Sequence, residues 1–192
     1  MTRRMAWVSG LVISATLAGC VAPGAGLPPL PEASTARGAY RLGAEDQVRV
    51  TVFDDARLSG TYRIGEDGEV SVPLVGRMRA AGMSPQELEQ RLVREFRQRQ
   101  LITTPAVAVE VQTYRPIFVL GLVERGGQFP YQPGMTVLSA VALAGGFNFR
   151  AVQDRVTVTR VGAQGTTAQE YRAPRDAVLL PGDVVTVLER RF

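Results

Sequence analysis

Two acidic pairs, Asp54–Asp55 and Glu66–Asp67, have the types and spacing that come nearest to bond chemistry, because a glycosidase flanks its scissile bond with two carboxylates. Both pairs fall at expected strand ends, where Asp and Glu accept hydrogen bonds from nearby backbone N–H groups, and turn formation accounts for them. The chain has no His and a single Cys, so Ser-His and Cys-His catalysis, Cys-rich zinc sites and internal disulfides are excluded by inventory. A second set, Tyr114, Phe118, Phe129, Tyr131, Phe147 and Phe149 with Arg115 and Arg150, could stack on sugar rings and hydrogen-bond hydroxyls. Aromatics at such density in a small unit are expected first as core or subunit contact. The sequence therefore predicts no catalytic residue, no metal and no cofactor.

One residue does carry a chemical expectation. Arg3 and Arg4 open the chain, an apolar run extends from Met5 to Leu17, and Leu17-Ala18-Gly19-Cys20 closes it. The run is shorter than the ~20 apolar residues a membrane-spanning helix needs and is interrupted by Ser9, Gly10, Ser14 and Thr16, so it reads as a targeting segment. Its ending looks like the lipobox of a bacterial lipoprotein, which makes Cys20 the lipidated first residue of a mature chain. Val21 follows instead of the Asp that retains such proteins in the inner membrane, and this points to the outer membrane, facing the periplasm. An uncleaved 1–20 segment is expected as a helix that the core does not support. Residues 21–38, rich in Pro, Gly and Ala with almost no charge, read as a flexible, semi-extended linker.

All 22 basic residues are Arg, set against 18 acids, and two of them lie in the targeting segment. The rest are scattered among carboxylates without a phosphate-tracking stripe, so nucleic acid is not an expected partner.

The elements that must position these residues form two groups. Val48, Val50 and Val52 alternate with Arg49, Thr51 and Phe53, as do Val70 and Val72 with Glu69 and Ser71, and Val107, Val109 and Val111 open another strand. Asp67-Gly68 predicts a hairpin turn between Ile64 and Val70. Ser84-Pro85-Gln86-Glu87 is a capping box opening a helix whose apolar face is Leu88, Leu92 and Phe96; its other face pairs Glu87 with Arg91 and Glu95 with Arg99. From Ile117 the chain reads as a strand, a Gly turn at Glu124–Gly127, a Pro133-Gly134 turn, and a helix capped by Thr136 and stopped at Gly145-Gly146. Val156–Val158 and Val184–Leu188 are further strands, with a flexible loop at Gly162–Gly165 and a Pro181-Gly182-Asp183 turn. No amphipathic or apolar helix is expected between the last strand and Phe192. The fold class is α+β: short strands with one helix over 39–113, then a β-grasp (ubiquitin-like) unit over 114–192.

Taken together, these motifs resemble the polysaccharide export family of bacterial outer-membrane lipoproteins. Tyr40-Arg41-Leu42-Gly43 with Asp46, Val48 and Val50, then Asp67-Gly68, Pro73-Leu74-Val75-Gly76, Gly82 and the capped helix are similar to its export domain. Ile117–Asn148, with Val178-Leu179-Leu180-Pro181-Gly182-Asp183, is similar to its soluble-ligand-binding β-grasp (SLBB) module. The resemblance implies a homo-oligomeric ring through which polysaccharide passes, fed by an inner-membrane co-polymerase of the tyrosine-kinase type. Large members add further modules and a pore-forming C-terminal helix. With one module and no such helix, this chain is expected to act as a periplasmic ring or adaptor that relies on a separate outer-membrane barrel. A non-catalytic carbohydrate-binding tether is the rival expectation. The exposed turn at Glu124–Gly127, with Arg115, Arg125 and Tyr131, supplies the candidate ligand or subunit contacts.

Overall fold

The computed structural model describes residues 26–31, 40–53, 55–161 and 167–190. Cys20, the targeting segment, Asp54 and the Gly162–Gly165 loop lie outside the described residues.

The first unit is built on three antiparallel strands in the order β2-β1-β5, where β1 is Gln47–Val52, β2 Gly60–Arg63 and β5 Val107–Thr113. A separate hairpin pairs β3 (Glu69–Val72) with β4 (Gly76–Arg79), and α1 runs from Pro85 to Gln98. The period-two pattern of β1 works as expected: Val48, Val50 and Val52 are buried and Arg49 is exposed. The helix begins where its capping box predicts, with Ser84 accepting from the Glu87 N–H and Glu87 accepting from the Ser84 N–H. Leu88, Leu92 and Phe96 are fully buried against the valines of β1 and β3 in one continuous core.

Two expectations are corrected here. Asp67-Gly68 does make a turn, with Gly68 at φ 77°, but it joins strands of different sheets, and the hairpin is the next one, β3–β4. The Gly68 carbonyl accepts from Ala80 and Ala81, so this turn is held by the chain that follows β4 and not by a ladder between β2 and β3. Glu87 is paired with Arg41, not with Arg91 at i,i+4, because the chain before β1 runs past the helix N-terminus. Glu95–Arg99 forms as expected.

The second unit is a β-grasp fold. Its five-stranded sheet has the order β7-β6-β10-β8-β9, with β6 Ile117–Gly121, β7 Gly127–Phe129, β8 Arg155–Val161, β9 Ala168–Pro174 and β10 Val184–Val187. Only β6 and β10 run parallel, in the middle of the sheet. Helix α2, Val137–Leu143, is capped by Thr136, which accepts from the Ser139 N–H, and it buries Val137, Ala140 and Val141. Ile117, Val119, Val156, Val158, Val185 and Val187 meet it from the sheet's inner face in a second core. Gly121 is required where β6 ends: its φ is 86°, and a Cβ there would overlap the Val187 carbonyl.

One part of the expected 21–38 linker is docked. Pro28–Leu30 lies along the open edge of β9, where the Leu30 N–H donates to the Arg172 carbonyl and the Arg172 N–H donates to the Pro28 carbonyl, both at 2.8 Å. Leu30 packs against the second core. Among the described residues no helix is long and apolar enough to cross a membrane.

Candidate functional site

Each module carries the same seven-residue device at the entry to one of its strands. Leu42-Gly43-Ala44-Glu45-Asp46-Gln47-Val48 enters β1, and Leu179-Leu180-Pro181-Gly182-Asp183-Val184-Val185 enters β10. In both, the first Leu and last Val are buried, the residue before Asp is left-handed (Glu45 at φ 75°, Gly182 at φ 85°), and the Asp is buried. Each Asp side chain accepts the backbone N–H three residues earlier, Gly43 for Asp46 and Leu180 for Asp183, both at 2.8 Å. A buried carboxylate needs a cation and a full set of donors to remain ionised cheaply. Arg160 from β8 supplies Asp183 with a bidentate pair at 2.8 and 2.7 Å.

Asp46 is served by Arg115, and this joins the two units. The Arg115 backbone N–H donates to Asp46 Oδ1 at 2.9 Å, and Nη1 donates to Asp46 Oδ2 at 3.2 Å and to the Tyr40 hydroxyl at 2.8 Å. Nε donates to the Pro181 carbonyl at 2.9 Å, inside the second copy of the turn. The Tyr40 hydroxyl in turn donates to Asp46 Oδ2 at 2.6 Å. The guanidinium lies between two glycines, for a Cβ on either Gly43 or Gly182 would intrude on it. Tyr40, Tyr114 and Tyr131 extend the contact as two successive edge-to-face pairs, with centroids 5.0 and 5.6 Å apart. Tyr131 ends the series by donating to the Leu179 carbonyl at 3.2 Å.

Burial raises the Tyr40 hydroxyl far above its ordinary value, with the Asp46 hydrogen bond acting in the same direction and Arg115 opposing both. The folded state therefore holds this proton more tightly than the unfolded chain. Tyr40's contribution to stability is complete below about pH 10 and falls as pH rises beyond it. Denaturant midpoints measured from neutral pH upward should decline above that point. Tyr40→Phe should flatten the decline, with Tyr62 and Tyr131, also raised by burial, supplying the remainder.

The structure places the sequence-predicted residues in two groups. Arg115 and Tyr131 belong to the intermodule node, with Arg115 N, Nε and Nη1 and the Tyr131 hydroxyl engaged inside the chain. Glu124 and Arg125 are exposed on the β6–β7 turn. That turn is pinned to the end of α2 by the Glu124 N–H on the Gly146 carbonyl at 3.2 Å and the Arg125 N–H on the Ala144 carbonyl at 2.8 Å. It is an ordered protrusion. Of the aromatics, Phe129, Tyr131 and Phe147 pack on the core as expected, whereas Phe118 and Phe149 do not: they are 38% and 83% exposed. Phe118 stands with Leu120, Val184 and Thr186 on the sheet face opposite α2, since cross-strand partners share a face.

Within the acidic pairs, Asp55 and Asp67 behave as turn formers. Asp67 accepts the Glu69 N–H and pairs with Arg77, and Asp55 accepts the Arg57 N–H and pairs with its side chain. No three His, Cys, Asp or Glu side chains among the described residues gather in metal-ligating geometry.

This two-unit architecture has relatives. Residues 34–112 match the family described as polysaccharide biosynthesis/export protein, and residues 116–169 match the SLBB domain. The chain belongs to the polysaccharide export family, with the SLBB module following the export domain. It is 33% identical over 152 residues to the exopolysaccharide production protein ExoF of Rhizobium meliloti (strain 1021), an alignment covering 73% of this chain and 36% of that protein. It is 29% identical over 154 residues to the EPS I polysaccharide export outer membrane protein EpsA of Ralstonia solanacearum, covering 73% of this chain and 40% of that one. The chain thus spans well under half the length of these curated relatives.

Proposed function

We propose that this protein is a component of exopolysaccharide or capsule export at the outer membrane, lipid-anchored through Cys20 and facing the periplasm. It acts as a ring-forming passage or adaptor and makes or breaks no bond in the polymer. The observation that carries this reading is the pairing of the two modules, in the same order, with relatives named for exopolysaccharide production and polysaccharide export. The two hydrophobic cores support a division at 39–113 and 114–192. Each module is too small to enclose a polymer, so a passage requires several copies.

The latch at Arg115 supports such an assembly, because an oligomer built from two-module subunits needs their relative placement fixed. The Glu124–Gly127 turn and the Phe118–Leu120 strip offer an ordered protrusion and an apolar face for neighbouring subunits. An inner-membrane co-polymerase of the tyrosine-kinase type would deliver polymer, and a separate barrel would complete the crossing. Deleting the gene should sharply lower extracellular polysaccharide, and the wild-type gene should restore it. Undiminished polymer in a strain without a second copy of the family would refute the export role.

A further inference from the structure

The spacing of Glu87 and Arg91 on α1 predicts an ion pair, and the fold gives Glu87 to Arg41 instead. That exchange is fixed by the backbone around it. The chain before β1 is tied to the segment before α1 by the Leu42 N–H on the Met83 carbonyl and the Gly82 N–H on the Leu42 carbonyl, both at 2.8 Å. Arg41 also donates to the Gly82 carbonyl at 3.2 Å. Glu87 accepts from the Ser84 N–H at 2.7 Å, and this bond, with Arg41 beside it, holds its carboxyl below the usual carboxylate range. Further along the helix, Glu95 is taken by Arg99. Among the described residues, Arg91 and Arg94 are left without a carboxylate partner.

These two arginines line an open cleft of about 580 Å³ between the flank of α1 and the wall made by Arg41 and Gly82–Met83. Its volume falls within the roughly 300–1,000 Å³ of small-molecule sites. Arg91 and Arg94 are neighbours on the helix surface at i,i+3, and like charges so placed disfavour the helix mildly. Because Arg41 neutralises Glu87 and Arg99 neutralises Glu95, the charge left in the cleft is that of this pair, and its complement is an anion. A guanidinium fork matches a planar carboxylate. Gln90 and Gln98 flank the pair with exposed amides, which both donate to and accept from hydroxyls. Among the described residues no aromatic ring lines the cleft, so a sugar finds no stacking platform and leaves as readily as it arrives, as a transported polymer must. We propose that this flank of α1 is a low-affinity subsite for acidic saccharide, with Arg91 and Arg94 gripping a sugar carboxylate and Gln90 and Gln98 its ring hydroxyls. The choice of a sugar over another anion rests on the export role proposed above.

The test is ligand-observed NMR on the detergent-solubilised full chain, with trigalacturonate as the probe, maltotriose as its neutral counterpart and inorganic phosphate as a competitor. Trigalacturonate should bind with a Kd of about 1 mM that weakens as sodium chloride screens the exposed charges. Maltotriose should bind roughly tenfold more weakly, for want of the carboxylate that the guanidinium groups grip. Phosphate should displace little trigalacturonate, since it reaches the arginines and not the amides. Arg91→Gln combined with Arg94→Gln should raise the trigalacturonate Kd by about tenfold, and Gln is a good helix former, so α1 is kept. Arg175→Gln, which removes an exposed positive charge from the second module, should leave the Kd unchanged.

Maltotriose binding as well as trigalacturonate, full displacement by an equal concentration of phosphate, or an unchanged Kd in the double variant would each overturn the proposal, as would no trigalacturonate binding at all. Gene deletion reads the export role separately. Polymer lost on deletion, beside a double variant that binds normally, overturns the subsite alone. Undiminished polymer, beside binding that the double variant loses, overturns the export role and leaves the subsite standing.

Discussion

Asp46→Ala should lower unfolding free energy by about 3 kcal/mol and loosen the two modules from one another. Removing one partner of a buried ion pair costs about 3–5 kcal/mol, because the other charge is left without compensation. The lower end applies here, since the Arg115 side chain is 28% exposed and water can reach part of its guanidinium. Other groups lose their acceptor as well: the Gly43 and Arg115 backbone N–H groups and the Tyr40 hydroxyl. For a domain pair of this size, that corresponds to a fall in melting temperature of roughly 6–12 °C. Asp46→Asn keeps the shape and part of the acceptor set and should lose less. The distinguishing measurement is small-angle scattering at temperatures where the variant is still folded. Its radius of gyration should rise while circular dichroism stays native, because the latch lies between two cores that are each internally packed. A loss below 1 kcal/mol with an unchanged radius would show that other contacts place the modules.

Much of this architecture was legible in the residues, and the parts that were not share a physical cause. Both helices announce themselves locally: Ser84 and Thr136 cap, and Leu88, Leu92 and Phe96 lie on one face. The strands follow from alternation at Val48–Val52 and Val107–Val111. Local chemistry does not say which strand pairs with which. Asp67-Gly68 has every property of a hairpin turn, yet its flanking strands join different sheets, because pairing is decided by burial across the whole unit. The same limit hides Arg41–Glu87, whose partners stand 46 positions apart.

The aromatic neighbourhood of Arg115 marks it as a contact residue, but its partner Asp46 lies 69 positions away, and only the fold shows that the contact is internal. The buried carboxylates did leave a signal. Leu42–Val48 and Leu179–Val185 can be aligned residue for residue, and an Asp placed just before each apolar strand start marks the repeated turn. Pro28–Leu30 left none, since a proline-rich stretch reads the same whether it is free or docked.

Asp183→Ala should cost more than Asp46→Ala, about 4 kcal/mol, and act in a different place. Its ion pair is the better buried of the two: Asp183 is 1% exposed and the Arg160 side chain 14%, with two parallel hydrogen bonds in place of one. Bidentate geometry raises the strength of the pair, and poor access of water raises the penalty for stranding Arg160. The damage centres on the second module, since β8, β10 and the turn between Leu180 and Asp183 all belong to it, and it reaches the node only through the Pro181 carbonyl that accepts from Arg115. Amide exchange should therefore quicken through β6, β10 and β8 while α1 and β1 keep their protection. Asp46→Ala should instead spare both cores and expose the node.

Arg160→Ala gives the complementary test, because it strands the Asp183 carboxylate instead. The double variant should be clearly less destabilised than the sum of the singles, since each single already loses the shared interaction. Additive losses would mean that Asp183 acts through its Leu180 hydrogen bond alone. In that case the common element of the two turns would be the Asp–backbone bond, with each arginine an accessory to it.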